Sequence, residues 1–263
     1  MRQSSQTSYV LSLVISFLYL VFFISLVFSF NFSSSISIGL ILLVGIIKNR
    51  IENKPLLDPN ARDLFLIACV VYYLFQVASL LYTHNTDETF VQLRIKSALL
   101  FVPLALCSFN YINSINREKF LFAFCFILFT ASLYCLAINT WMYFQHYDPS
   151  VFFFHALVGP IHQHAVFFSI YIFIILVFLV EEGGSVLARS FQIFLIFYFS
   201  IFLFLLSSKL VLAFYIFYLL YYTILFFTKE KKNRLFAITI LLIGVVTLSL
   251  LSATNHPVRN RFK

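Results

Sequence analysis

Residues able to do chemistry concentrate in one stretch, Trp141 to Tyr171, WMYFQHYDPSVFFFHALVGPIHQHAVFFSIY, which carries four of the chain's 6 histidines between two apolar runs. His146, Asp148, His155, His162 and His164 stand where a bilayer-embedded chain would re-enter the membrane, so a site built from them lies at or near one face. Gly159-Pro160 interrupts the backbone just ahead of His162-Gln163-His164, and Ala165 to Val180 is apolar enough for a membrane helix. The stretch reads as an interfacial loop leading into a transmembrane helix. As neutral imidazoles His162 and His164 could ligate a metal, but no Asp, Glu or Cys at ligand spacing accompanies them. Hydrogen bonding is their expected role, and no metal or cofactor is expected.

The second group is cationic. Lys209 sits in the short turn LSSK between two very apolar runs, where an ammonium must reach water or meet an anion. Arg94 and Lys96 stand two apart on an amphipathic segment and diverge on a helix, so they do not share one ligand atom. Arg259 and Arg261 follow in SATNHPVRNRFK. No Ser/His/Asp constellation can be assembled, and the paired aspartates of an intramembrane protease are missing. Gly183-Gly184-Ser185 after Glu181-Glu182 is too short for a phosphate loop and reads as a turn. Cys69, Cys107, Cys125 and Cys135 all fall in apolar runs without metal-type spacing, as small buried or lipid-facing residues do.

The elements that must position these groups are membrane helices. Of 263 residues 62% are hydrophobic and 11% charged, with 36 Phe and 15 Tyr, and the mean hydropathy is +0.96. A water-soluble core of this size has no use for such values, so the class is a polytopic, all-α membrane protein. The N-terminal apolar run ends in Phe28-Ser29-Phe30 rather than in small residues, which favours a first span over a cleaved signal peptide. Ser33 to Ser37 reads as a polar turn and Ile38 to Ile47 with its flanks as a short second span. The charged loop 48–62, with Pro55 and Pro59, precedes a third span from about Asp63 to Tyr82. After the turn THNTDE comes a fourth, carrying Pro103, and after residues 113–119 a fifth, Phe120 to about Thr140. Four more follow: His164 to Val180, Phe191 to Leu206, Leu210 to Phe227 and Leu235 to Leu251.

Nine spans place the termini on opposite sides. With the N-terminus inside, Arg2, Lys48, Arg50, Lys54, Arg62, Arg117, Lys119, Arg189, Lys229, Lys231, Lys232 and Arg234 are cytoplasmic, which is 12 of the 18 basic residues. Arg94, Lys96, Lys209, Arg259, Arg261 and Lys263 remain outside, together with every histidine. Cations kept outside against the usual bias have two readings, interfacial snorkelling or the binding of a phosphate-bearing ligand.

Four segments carry a resemblance. His164-Ala-Val-Phe-Phe-Ser-Ile-Tyr171 resembles the His-Pro-Thr-Tyr-Phe-Ser-Leu-Tyr pattern that opens a membrane helix in O-antigen ligase and polymerase-like proteins of Bacteroidetes type. Leu205-Leu-Ser-Ser-Lys209 is similar to that family's Leu-Leu-Ser-Ser-Arg turn, and His256-Pro-Val-Arg-Asn-Arg-Phe262 to its Asn-Pro-Val-Arg-Glu-Arg-Phe segment. The stretch Thr83 to Pro103 resembles the family's external turn, basic segment and proline-bearing helix, so order and spacing agree over about residues 60–263.

The resemblance implies a GT-C-like helical architecture and a metal-independent glycosyltransferase of the bacterial inner membrane with its site on the periplasmic face. It implies an undecaprenyl-diphosphate-linked oligosaccharide as donor, and lipid A core or a growing glycan as acceptor. Arg94, Lys209, Arg259 and Arg261 match the family's basic positions and would stabilise the diphosphate leaving group; His164 and Tyr171 belong to the matching helix start. Lys209 stands where the family usually has arginine, keeping the charge but losing the bidentate fork. The family continues beyond the position of Lys263 into a large external loop, with a histidine implicated as base, and into further helices. The expectation is therefore a single integral membrane domain that forms the N-terminal part of a larger fold. A transporter or flippase for lipid-linked glycans, or a structural subunit of such a machine, is the alternative; it would place ionisable groups near mid-bilayer, whereas these lie at span ends.

Overall fold

The computed structural model describes residues 2–53, 62–79, 82, 93, 96–107, 114–183 and 187–229. Regular structure among them is entirely helical. In chain order the helices are α1 (Arg2–Val27), α2 (Asn31–Ile51), α3 (Arg62–Ala78), α4 (Ala98–Cys107), α5 (Ser114–His146), the short α6 (Phe154–Leu157), α7 (Ala165–Glu181), α8 (Arg189–Leu206) and α9 (Lys209–Lys229). Among the described residues four segments are long and apolar enough to cross a membrane: Gln6–Val27, Phe32–Ile51, Glu118–His146 and Arg189–Leu206. Leu66–Ala78, Ala165–Glu181 and Lys209–Tyr222 are shorter apolar helices. The ninth expected span, at 235–251, lies outside the described residues.

Two boundaries differ from the sequence reading for a physical reason. The serines at 33–37, expected to make a turn, lie inside α2, because a hydroxyl can bond back along its own helix: Ser37 Oγ donates to the Ser33 carbonyl at 2.8 Å. The turn instead falls at Ser29, in the left-handed region at φ 57°. The charged segment 114–119, expected as a loop, forms the first turns of α5, and α5 also runs past Thr140 to His146.

Large apolar side chains such as Phe126, Phe167, Phe214 and Phe217 face outward, while Ser132, Asn139, Ser169, Gln192 and Ser200 are buried. That distribution suits lipid as the surrounding solvent, where outward phenylalanines cost nothing and inward hydroxyls link helices. Several apolar helices with this distribution make the chain a membrane-embedded protein.

Two compact units divide the chain: Met1–Leu26 with Phe30–Phe120, and Val27–Ser29 with Leu121–Lys263. In the first, Ile15, Leu18, Tyr19 and Phe22 of α1 pack with Ile41 of α2 and Ala105 of α4. Tyr19 donates its hydroxyl hydrogen to the Ala105 carbonyl at 3.0 Å. That oxygen belongs to the last turn of α4, which has no partner of its own within the helix. Lys96 Nζ donates to Gln76 Oε1 of α3 at 2.7 Å.

In the second unit α7 and α8 form an antiparallel pair and α9 packs against α7. Buried hydroxyls join the helices: Ser132 of α5 pairs with Tyr198 of α8 at 2.8 Å, and Ser200 of α8 with Tyr215 of α9 at 2.6 Å. At the C-terminal end of α7, the buried Gln192 side chain donates to the Leu179 carbonyl and closes that helix onto α8.

Candidate functional site

The site is built from the segment that joins α5 to α7. Tyr147 leaves α5 at φ 52°, and Asp148 caps a 3-10 turn at Pro149–Phe152 by accepting from the Ser150 N–H at 2.9 Å and the Ser150 hydroxyl at 2.7 Å. These bonds favour the carboxylate form, as does nearby His146, and hold the Asp148 carboxyl below its usual range. Leu157, Val158 and Ile161 then turn inward and are buried. Asn139 on α5 donates to the Leu157 carbonyl at 2.7 Å, and α6 packs against α8. The segment is thus pinned by both apolar burial and a buried amide. As the sequence predicts, Gly159-Pro160 breaks the helix; Gly159–Ile161 is a 3-10 turn and His162 follows in the left-handed region at φ 54°.

The histidines meet differently from their order in sequence. His164, not His162, meets a second imidazole, that of His155, edge to face, with ring centroids 4.4 Å apart at 74°. His164 is the N-cap of α7, accepting the Val166 N–H through Nδ1 at 3.3 Å. His155 Nδ1 accepts the Ala165 N–H at 3.5 Å. Accepting through Nδ1 leaves the hydrogen of each ring on Nε2. Among the described residues no group of three or more His, Cys, Asp and Glu side chains is arranged to hold a metal ion. Gln163, between the histidines, accepts from the His164 N–H at 3.1 Å and from the Ser29 hydroxyl at 2.9 Å. Its amide also reaches the Val27 carbonyl at 3.5 Å. The turn Val27–Ser29 is thereby tied to the histidine segment.

Lys209 opens α9. Ser207, at φ 52°, ends α8 in the left-handed region, with its N–H bonded to the Phe204 carbonyl at 3.0 Å. Ser207 and Ser208 are buried while Lys209 is exposed. An ammonium on the first turn of a helix opposes the positive end of the helix dipole, so this position favours an anion as a third party.

Register decides which groups share an end. Phe168 meets Phe202 at 5.8 Å, Phe173 meets Tyr215 at 6.5 Å, and Tyr218 donates to Glu181 at 3.3 Å. Tyr222 donates to the Val180 carbonyl at 3.2 Å. His164, at the start of α7, therefore lies at the same end as the Ser207–Lys209 turn. Glu181 and Arg189 lie at the other.

Of the residues singled out by sequence, His164 and Lys209 are brought to one end of the second unit. Tyr171 is not at that end: it sits nearly two turns along α7, half-buried, its ring edge-on to Phe124 at 5.9 Å. Arg94, Arg259 and Arg261 lie outside the described residues. Sequence reasoning missed His155 as the partner of His164, and Gln163 and Asn139 as anchors. The N-cap at His164 was detectable as the last polar residue before a long apolar run; the others rest on contacts across a loop, for which spacing gives no signal. Compared with family models, with curated proteins and with solved structures, the chain matches none.

Proposed function

We propose that the chain is a glycosyltransferase of the O-antigen ligase or polymerase type, acting at the periplasmic face of the bacterial inner membrane. The donor in this reading is an undecaprenyl-diphosphate-linked glycan and the acceptor is lipid A core or a growing glycan. Nine spans, a GT-C-like helical architecture, a cytoplasmic N-terminus and a periplasmic C-terminus belong to the same proposal. The observation that supports it is the register of α7 to α9, which brings the His164 and Lys209 segments, two of the resembling motifs, to one end.

The chemistry follows from the charges. An acceptor hydroxyl forms a bond to the anomeric carbon while the bond from that carbon to the diphosphate oxygen breaks; the diphosphate leaves with the electron pair and the hydroxyl proton passes to a base. Lys209, with Arg94, Arg259 and Arg261, neutralises the charge that grows on the leaving group. His164 adds a neutral Nε2–H donor beside it, and Tyr171 lines the helix that the donor approaches.

The test is donor binding and glycan transfer by the chain in vesicles containing a polyprenyl-diphosphate-linked glycan. Lys209→Ala is expected to lower transfer by on the order of 10² to 10³ with abundance unchanged. Lys209→Arg is expected to retain or raise it, since a guanidinium forks onto phosphate oxygens. Unchanged donor binding and transfer in Lys209→Ala, or transfer abolished by a chelator alone, would overturn the reading.

A further inference from the structure

Trp141 is the chain's single tryptophan, and it stands on the outer face of the last turns of α5. Trp141, Phe144 and Tyr147 are 66%, 66% and 74% exposed. Phe144 and Tyr147 belong to an aromatic group, one turn on from Trp141: the Tyr143 ring lies 6.0 Å from Phe144, 6.3 Å from Tyr147 and 5.8 Å from Phe152. Along the same helix the exposed surface changes character within a few turns. Phe126, Leu133 and Tyr134 face out below, whereas Gln145, His146 and Asp148 are exposed at the top. The rings sit at the change from one to the other.

The loop that follows leaves the three rings exposed: its Phe152 packs on Tyr143, and its Leu157, Val158 and Ile161 are buried in the second unit. What remains on the outside is a set of large apolar bodies, two of them with an N–H or O–H tip, next to an imidazole and a carboxylate. Water leaves the apolar bodies unsatisfied, and the hydrocarbon core leaves the tips unsatisfied. The headgroup layer of a bilayer satisfies both, which is why Trp and Tyr gather there in membrane proteins.

We infer that Trp141, Phe144 and Tyr147 form a collar that rests in the phospholipid headgroup layer and sets the level at which α5 leaves the membrane. A protein partner fits less well, since its apolar surface would have to cover His146 and Asp148 within a turn of the rings and desolvate both. The consequence is that the neighbouring segment, 149–164, with its paired imidazoles, is held at headgroup depth. This inference does not depend on the transferase reading.

The native chain is its own probe. Reconstituted in phosphatidylcholine and phosphatidylglycerol vesicles, its tryptophan emission is measured with lipids brominated at shallow or deep acyl positions, and with aqueous iodide. Shallow bromines are expected to quench about twofold more than deep ones, with partial quenching by iodide. In a Trp141→Phe, Tyr147→Trp variant the iodide effect is expected to rise, because residue 147 stands nearer the polar end. Strongest quenching by deep bromines would put the collar in the hydrocarbon core, and iodide quenching alone would put it in water. No quenching by either would mean protein, a second copy or another chain, covers it. Each of these three results overturns the inference.

Discussion

At the residue scale, His164 combines two roles that a single substitution can separate. Its Nδ1 caps α7, and its Nε2–H is the donor we propose for the diphosphate. His164→Ala removes both, and loss of the cap is expected to cost about 1 kcal/mol of stability. His164→Asn keeps a cap acceptor, so unfolding in detergent is expected to return close to the native midpoint while donor binding stays weakened. If binding recovers together with stability, the imidazole serves α7 alone. Asp148 gives a pH dependence of definite sign. Its carboxyl is held below the ordinary range by the Ser150 bonds, so the order it gives the 149–152 turn is present at neutral pH and is lost as pH falls through its lowered value. Trp141 emission should therefore be flat at neutral pH and change only in strong acid, and Asp148→Asn should abolish that acid step. A step near pH about 6 would point to histidine instead.

At the element scale, the weak point of the second unit is the C-terminal end of α7. A Cβ on Gly183 would lie 3.2 Å from Gln192 Nε2 and 3.3 Å from its Cγ, and that amide is already committed to the Leu179 carbonyl. Gly183→Ala requires the amide to give by a few tenths of an ångström, and the weakened bond to Leu179 is expected to cost about 1 kcal/mol. Gln192→Ala removes the three atoms nearest the added methyl, so the double variant should be less unstable than the sum of the two single ones. Strict additivity in detergent unfolding would show that Gln192 does not hold this end. Elements of this kind show the limits of sequence reading. Apolar runs made α7, α8 and α9 legible nearly to the residue, because a lipid-facing helix needs little beyond hydrophobic length. The serines of α2 and the charged start of α5 misled, since a helix satisfies its own backbone and carries a hydroxyl or a charge on one turn at small cost. In the site, Lys209 and His164 were legible as polar groups at span ends. His155, Gln163 and Asn139 were not, because each acts on a group that the folded loop brings to it.

At the scale of the whole molecule, sidedness is what ties the charges to a function. The ring contacts and tyrosine bonds along α7, α8 and α9 give a register in which His162 and Lys209 share one end and Arg189 the other. Helix α9 runs from Lys209 to Lys229 and so carries the chain back toward the end that holds Arg189. In sequence Lys229 is followed by Glu230, Lys231, Lys232, Asn233 and Arg234, a cationic cluster that the positive-inside bias would assign to the cytoplasm. In the proposed topology Lys209 and His162 then lie outside. We predict that reporters placed at His162 and Lys209 are accessible from the periplasm and that one at Lys232 is accessible from the cytoplasm. Membrane-impermeant thiol labelling of single cysteines at these positions, with the native cysteines replaced, reads this directly. Labelling of positions 162 and 232 from the same side would break the nine-span topology. It would also separate the cations from a periplasmic diphosphate and remove the physical basis for a transferase at that face.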